Sequence, residues 1–281
     1  ATVVCTVPGY VAGQAPATAQ YAQGMLASAR NDPDAAIAAL KPLLDTLPPA
    51  LTPAQLRDAV DALGRSYLTV YRYREATAVY GAALRRRFLA PDSATRAGWS
   101  QSMRLSQMLR DVLPQRVTWT RAVRCDTLRN DGARYGISAS IGDAAPPVLL
   151  RVDLRAPWTL LDSATAATHG VRLLQGTTEI TLADSVRVAA RVGVLATLRL
   201  GPAMLFNVVV LVTDDTVPGF SSDGDSTVAM GVIGFPVLHA LGQVTFTRDG
   251  HVALSSPGMF PATEVSPWRH STAPSEMSLA L

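Results

Sequence analysis

At 281 residues, with 48% hydrophobic and 17% charged residues, the chain can bury two modest cores and is too apolar to be globally disordered. Its net charge of +3 is small and scattered, and Arg85, Arg86 and Arg87 form the one dense basic cluster, which argues against nucleic acid as a partner. No run of about 18 or more apolar residues occurs, so no segment reads as a membrane-spanning helix.

Cys5 has one companion, Cys125, far along the chain. That separation excludes a C-x-x-C metal or redox site. It leaves two readings open: a disulfide made in an oxidising compartment, or two unrelated buried thiols. The chain begins at Ala1 without Met; with a signal removed, the periplasm or secretion is favoured over the cytoplasm. Lys41 is the only lysine beside many arginines and alanines, a usage that points to a GC-rich bacterial genome.

Residues 17 to about 112 read as helix after helix. Asp32-Pro33 and Thr52-Pro53 each place an N-cap residue before a proline at the first helical position, and Thr52 with Gln55 fits a capping box. Arg85–Arg87 suits a helix C-terminus, where cations meet the macrodipole. Asp92 or Ser93 caps a further helix, expected to run through Trp99 and Met103 to Leu113. In "ALGRSYLTVYRYREATAVYGAALRR", Gly64, Tyr67, Ala76, Tyr80 and Ala83 stand at spacings that resemble a tetratricopeptide repeat. Gly24, Ala36, Leu40 and Pro48 give a weaker copy. The offset between copies exceeds the usual period of about 34 residues, which predicts a longer linker. A plain helical bundle with an Ala-rich core is the alternative. No residue in this half points to catalysis.

From Val117 the pattern becomes short, β-branched and punctuated by Gly: "TWTRAVRC", "RYGISASI", "PVLLRVDL", "TTEITL", "VRVAARVGVLATLRLG", "AMLFNVVVLVTD", "QVTFT" and "HVALS". So many short strands predict a β-barrel or sandwich. Short helices are expected at 163–169, capped by Asp162, and at 236–241. The acidic loop 214–227 lacks the spacing and closing Glu of an EF-hand and reads as solvated. The chain thus divides into an all-α region (1–115), an all-β region (116–256) and a Pro/Ser-rich tail (257–281), an α+β protein of two domains.

The β half resembles the retropepsin-like aspartic proteases in their single-domain bacterial form, over residues 120 to 255. "YGISASIGDAAPPVLLRVD" resembles the family's opening hairpin and the strand that delivers its aspartate. "VDLRAPWTLLDSATAATHGV" is similar to the V-D-T-G-A turn and the strand and helix after it. "LATLRLGPAMLFNVVVLVTD" resembles a strand, LG turn and strand. "GVIGFPVLHALGQVTFTRDGHVAL" is similar to the G-hydrophobic-hydrophobic-G segment with its short helix and closing hairpin. The resemblance implies an acid-protease barrel and makes Asp153 the catalytic aspartate. Asp162-Ser163-Ala164 imitates D-S-G, but it leaves too few residues before Gly170 for the strand and helix. Asp162 is therefore the runner-up, with a helix cap as its bland role.

The family's D-T-G is Asp153-Leu154-Arg155 here. Leu154 cannot make a threonine's hydrogen bonds, and Arg155 does not adopt Gly-only backbone angles cheaply. An Arg155 guanidinium in the site would favour an ionised Asp and work against the proton that such a pair shares, which argues against ordinary peptide hydrolysis. The resemblance further implies a homodimer through the β region, each copy giving one Asp, with an extended peptide or small molecule in the cleft. Segment 175–185 takes the place of the substrate-covering flap, which makes Trp158, Thr178, Glu179 and Thr181 candidate substrate contacts. His169 sits at a helix end, and a Ser163–His169 pair has no orienting acid. His239 and His251 are not grouped as ligands, so the sequence points to no metal and no cofactor. Three functions follow: an enzyme using Asp153 with Arg155 in altered acid–base chemistry; a non-catalytic peptide-binding scaffold, with a protein partner on the helical repeats; or a working homodimeric endopeptidase.

Overall fold

The structure is a computed structural model that describes residues 16–120, 124–127, 129–130, 135–142, 146–153, 156–181, 187–214, 230–246 and 251–255. Cys5, most of the loop 214–227 and the tail lie outside the described residues, as does the Cys5–Cys125 pairing.

Five helices come first: α1 (Ala17–Ala29), α2 (Pro33–Thr46), α3 (Pro53–Thr69), α4 (Tyr73–Arg85) and α5 (Ser93–Leu109). Their starts are set by local chemistry. Asp32 accepts from the Ala35 amide, Asp92 from the Thr95 amide at 2.7 Å, and Thr52 and Gln55 form a reciprocal capping box. α5 stops at Leu109 rather than reaching Leu113. Pro114 disfavours helical backbone at the residue before it, and Leu113 is 69% exposed, so no burial holds a further turn. None of the described helices is long and apolar enough to cross a membrane.

α1–α2 and α3–α4 are two copies of one helical hairpin. Each turns through a left-handed residue, Asn31 (φ 55°) or Tyr71 (φ 62°). Each turn closes with the same backbone bond, Asp32 N to Ala27 O at 2.9 Å and Arg72 N to Tyr67 O at 2.8 Å. Each also needs a glycine where the helices touch. A Cβ on Gly24 would lie 2.4 Å from Leu40 Cδ2, and one on Gly64 would lie 2.3 Å from Tyr80 Cζ. One offset relates Gly24 to Gly64, Ala36 to Ala76 and Leu40 to Tyr80. α5 closes the stack, with Trp99 buried and its Nε1 donating to Asp61 Oδ1 at 2.6 Å.

The β half is built from β1 (Arg116–Trp119), β2 (Arg124–Thr127), β3 (Arg129–Asn130), β4 (Tyr135–Ile141), β5 (Val148–Val152), β6 (Thr159–Asp162), β7 (Arg172–Thr181), β8 (Arg187–Leu200), β9 (Ala203–Thr213), β10 (Gly231–Ile233), β11 (Gln243–Phe246) and β12 (His251–Ser255). Two short helices interrupt it, α6 (Ser163–Thr168) and α7 (Phe235–Leu241). The strand order β9-β6-β10-β5-β4-β8 closes on itself, because β8 also pairs with β9. The result is a six-stranded mixed barrel: β6–β9 and β10–β5 are parallel, the other pairs antiparallel. β11, β12 and β2 form a separate small sheet.

The apolar run of β9 explains how the halves join. Val208, Val210 and Val212 point into the barrel core with Leu150, Leu198 and Ile233. Val209 and Leu211, on the other face, share a core with Leu63, Tyr80 and Leu105 of the helical region. A strand buried on both faces reads as continuously apolar rather than alternating. Each fully buried Leu contributes about 1.5–3 kcal/mol, so the helical region is a structural layer on the barrel.

Candidate active site

Asp153 is the first residue past β5, a strand with Val148 and Leu150 buried. β10 lies between β5 and β6, parallel to one and antiparallel to the other. The Asp153 amide donates to Ile233 O at 3.1 Å and extends the β5–β10 ladder by one residue. The Ala156 amide then donates to Asp153 O at 3.2 Å, and the Phe235 amide donates to Ala156 O at 2.8 Å. The turn that carries Asp153 is thereby tied to the segment leading into α7.

Glycine is required on that segment. A Cβ at Gly234 would sit 2.4 Å from the Trp158 carbonyl group, and one at Gly231 2.6 Å from Leu160 O. The Gly234 amide donates to the buried Thr159 Oγ1 at 3.2 Å. The G-V-I-G spacing is thus a consequence of β10 and the residue after it lying against Trp158 and β6 at backbone contact.

The Asp153 side chain is 30% exposed, and its Oδ2 lies 3.8 Å from Arg151 Nη2. Arg151 was not singled out from sequence. The signal was present, since residues two apart on a strand share a face. Leu154 and Arg155 lie outside the described residues. Asp162 spends both oxygens on the first turn of α6, accepting from Thr165 N at 2.6 Å and Thr165 Oγ1 at 2.8 Å. His169 ends α6 with Nδ1 3.2 Å from Ile141 O. His239 packs against Phe235, and burial lowers its pKa from the ordinary imidazole value.

Trp158, Thr178 and Glu179 come together, but not around Asp153. They line a cleft of ≈ 600 Å³ between the β half and the helices, and Asp153 is not among its lining residues. The opposite wall carries Arg65 of α3 and Gln101 of α5, and Gln101 Nε2 donates to Glu179 O. Of Thr181, at the end of β7, only the backbone is described. Two bonds clamp the halves beside this cleft: Tyr71 Oη donates to Pro236 O at 2.7 Å, and Gln115 Nε2 donates to the same carbonyl at 3.4 Å.

No protein-family model matches the chain, and no curated protein matches it. Among solved structures, the chain is similar to a retropepsin-like aspartic protease from Rickettsia conorii, at 17% identity over 50% of this chain and 96% of that one, with a TM-score of 0.34.

Proposed function

We propose that the Asp153 turn is the acid–base centre of an aspartic-protease-like enzyme, completed by the Asp153 of a second copy. The observation that carries this reading is the tied turn: an acid at the end of a buried strand, 30% exposed, in a turn closed by one backbone bond of its own and held by two more to the segment 231–235 with its two glycines. Two such carboxylates facing across a symmetric contact share one proton. The ionised one takes a proton from water as its oxygen attacks a carbonyl carbon. The protonated one gives its proton to the departing nitrogen. Leu154 and Arg155 alter this chemistry, and an arginine near the pair suits an anionic substrate or a developing negative charge. The helical hairpins serve, in this reading, as a tetratricopeptide-type platform for a protein partner.

The test is hydrolysis of a peptide library by the full chain across acidic pH, with sedimentation to give its oligomeric state. Activity is expected to vanish in Asp153→Asn and to rise when Leu154→Thr and Arg155→Gly rebuild the family's turn. Absence of hydrolysis in both the unmodified and the rebuilt chain rejects the enzyme.

The cleft lined by Trp158 and the helices favours a second reading, a peptide-binding scaffold without catalysis. Peptide binding that survives Asp153→Asn, with no hydrolysis at any pH, is its signature.

A further inference from the structure

We propose that the cleft between the helical hairpins and the β half is a peptide-binding site. In it Arg65 and Glu179, on opposite walls, select a segment with an acidic and a basic side chain flanking a large apolar one. The proposal takes only the class of ligand, a peptide, from the function proposed above.

The cleft's volume of ≈ 600 Å³ falls in the usual range of ligand sites, about 300–1,000 Å³. Trp158 and Phe235 give the β wall two aromatic surfaces, faced by Met25, Leu68 and Leu105 from the helices. Several polar side chains on the lining already have protein partners. Ser66 Oγ donates to Ala62 O, Thr69 Oγ1 donates to Arg65 O, and Asp32 caps α2. The Arg65 guanidinium acts on the Asp61 carboxylate one turn back on α3 but makes no direct ion pair with a described residue, nor does the Glu179 carboxylate, and the two stand on different walls. A ligand matching both therefore carries both signs of charge around an apolar body, which a peptide segment does and a simple anion or cation does not.

The cleft is held open from outside. The bond from Tyr71 to Pro236 fixes the α3–α4 turn against α7, and Gln115, just before β1, donates to the same carbonyl, so the walls are formed before a ligand arrives. Its β wall also runs into the Asp153 turn, since Pro157 and Trp158 follow that turn and Phe235 is bonded to Ala156. A peptide seated between Arg65 and Glu179 can continue past Trp158 toward Asp153.

The experiment is fluorescence anisotropy with the full chain carrying Asp153→Asn, which keeps cleavage out of the measurement. The probe is a capped, fluorescein-labelled Glu-Leu-Phe-Lys peptide, compared with Gln-Leu-Phe-Lys and Glu-Leu-Phe-Gln. Arg65→Gln is expected to weaken the Glu-bearing probes by roughly fivefold and leave Gln-Leu-Phe-Lys unchanged. Glu179→Gln is expected to weaken the Lys-bearing probes alike and spare Glu-Leu-Phe-Gln. Both residues are exposed, so neither change threatens the fold. No binding of the probe, or equal affinities across the variants, overturns the site. Hydrolysis by the unmodified and the rebuilt chain is read separately: its absence in both with the charge pattern intact rejects the enzyme and keeps the cleft, and the reverse rejects the cleft alone.

Discussion

Tyr71 reaches across the protein to Pro236: its hydroxyl donates to the Pro236 carbonyl at 2.7 Å, from a left-handed backbone (φ 62°) that a bulky side chain rarely adopts. The same turn is closed by Arg72 N to Tyr67 O, so the helical repeat itself holds the residue in place. Through Phe235 and Ala156 the contact lies next to the Asp153 turn.

Tyr71→Phe keeps the ring and removes the bond. A loss of about 0.5–1.5 kcal/mol is expected, a few degrees in Tm. Amide exchange at Phe235 should accelerate more than at Val210 in the barrel core. Equal acceleration at both positions would show a general loss of stability instead of a local strut.

Burial raises the phenols of Tyr71, Tyr73 and Tyr80, the last pushed up to about 12. A raised folded pKa gives stability that is complete below the unfolded value, about 10, and is lost as pH rises through the folded one. Denaturant midpoints should therefore fall as pH climbs past about 10. Phenolate absorbance should appear later in the folded chain than in the unfolded one; coincident titrations would contradict the packing around these rings.

Gly64→Ala should cost about 1–3 kcal/mol, because its Cβ meets the buried Tyr80 ring at 2.3 Å. Gly24→Ala meets Leu40 Cδ2 at 2.4 Å, a buried but aliphatic side chain with more rotamer freedom than a tyrosine ring, and should cost less. Urea midpoints measure the difference. Equal costs would mean that Leu40 is held as firmly in its place as the Tyr80 ring.

Asp162 and Asp153 should separate stability from chemistry. Asp162→Ala removes the α6 cap and should lower stability by about 1 kcal/mol without touching ligand binding or hydrolysis. Asp153→Asn should abolish hydrolysis with little change in Tm. Exchange of these two phenotypes would move the acid to Asp162.

Burial depresses His239 against the opposing pull of Asp34 and Asp32. A depressed folded pKa gives stability that is present above the unfolded value, about 6.5, and is lost as pH falls through the folded one. Stability should thus decline on acidification below about pH 6.5, and His239→Phe should flatten that decline. The same variant should extend the acidic range over which activity can be assayed; an unchanged profile would place the acid sensitivity elsewhere.

Local chemistry was legible in the sequence. The caps at Asp32, Thr52, Asp92 and Asp162 depend on groups three residues away, so pattern alone identified the helix starts. The glycines Gly24 and Gly64 and the short β-branched runs likewise pointed to paired helices and to a barrel or sandwich. Only the tertiary structure decided what covers those elements. The run Val208–Val212 is equally apolar whether a sheet or a helix lies on its second face, and the fold put the helical region there. Arg151 beside Asp153, and Glu179 across a cleft from Arg65, are likewise products of strand pairing and packing between distant segments. Caps and turns act over a few residues, whereas a cleft needs walls from chain segments more than a hundred residues apart, which no local pattern records.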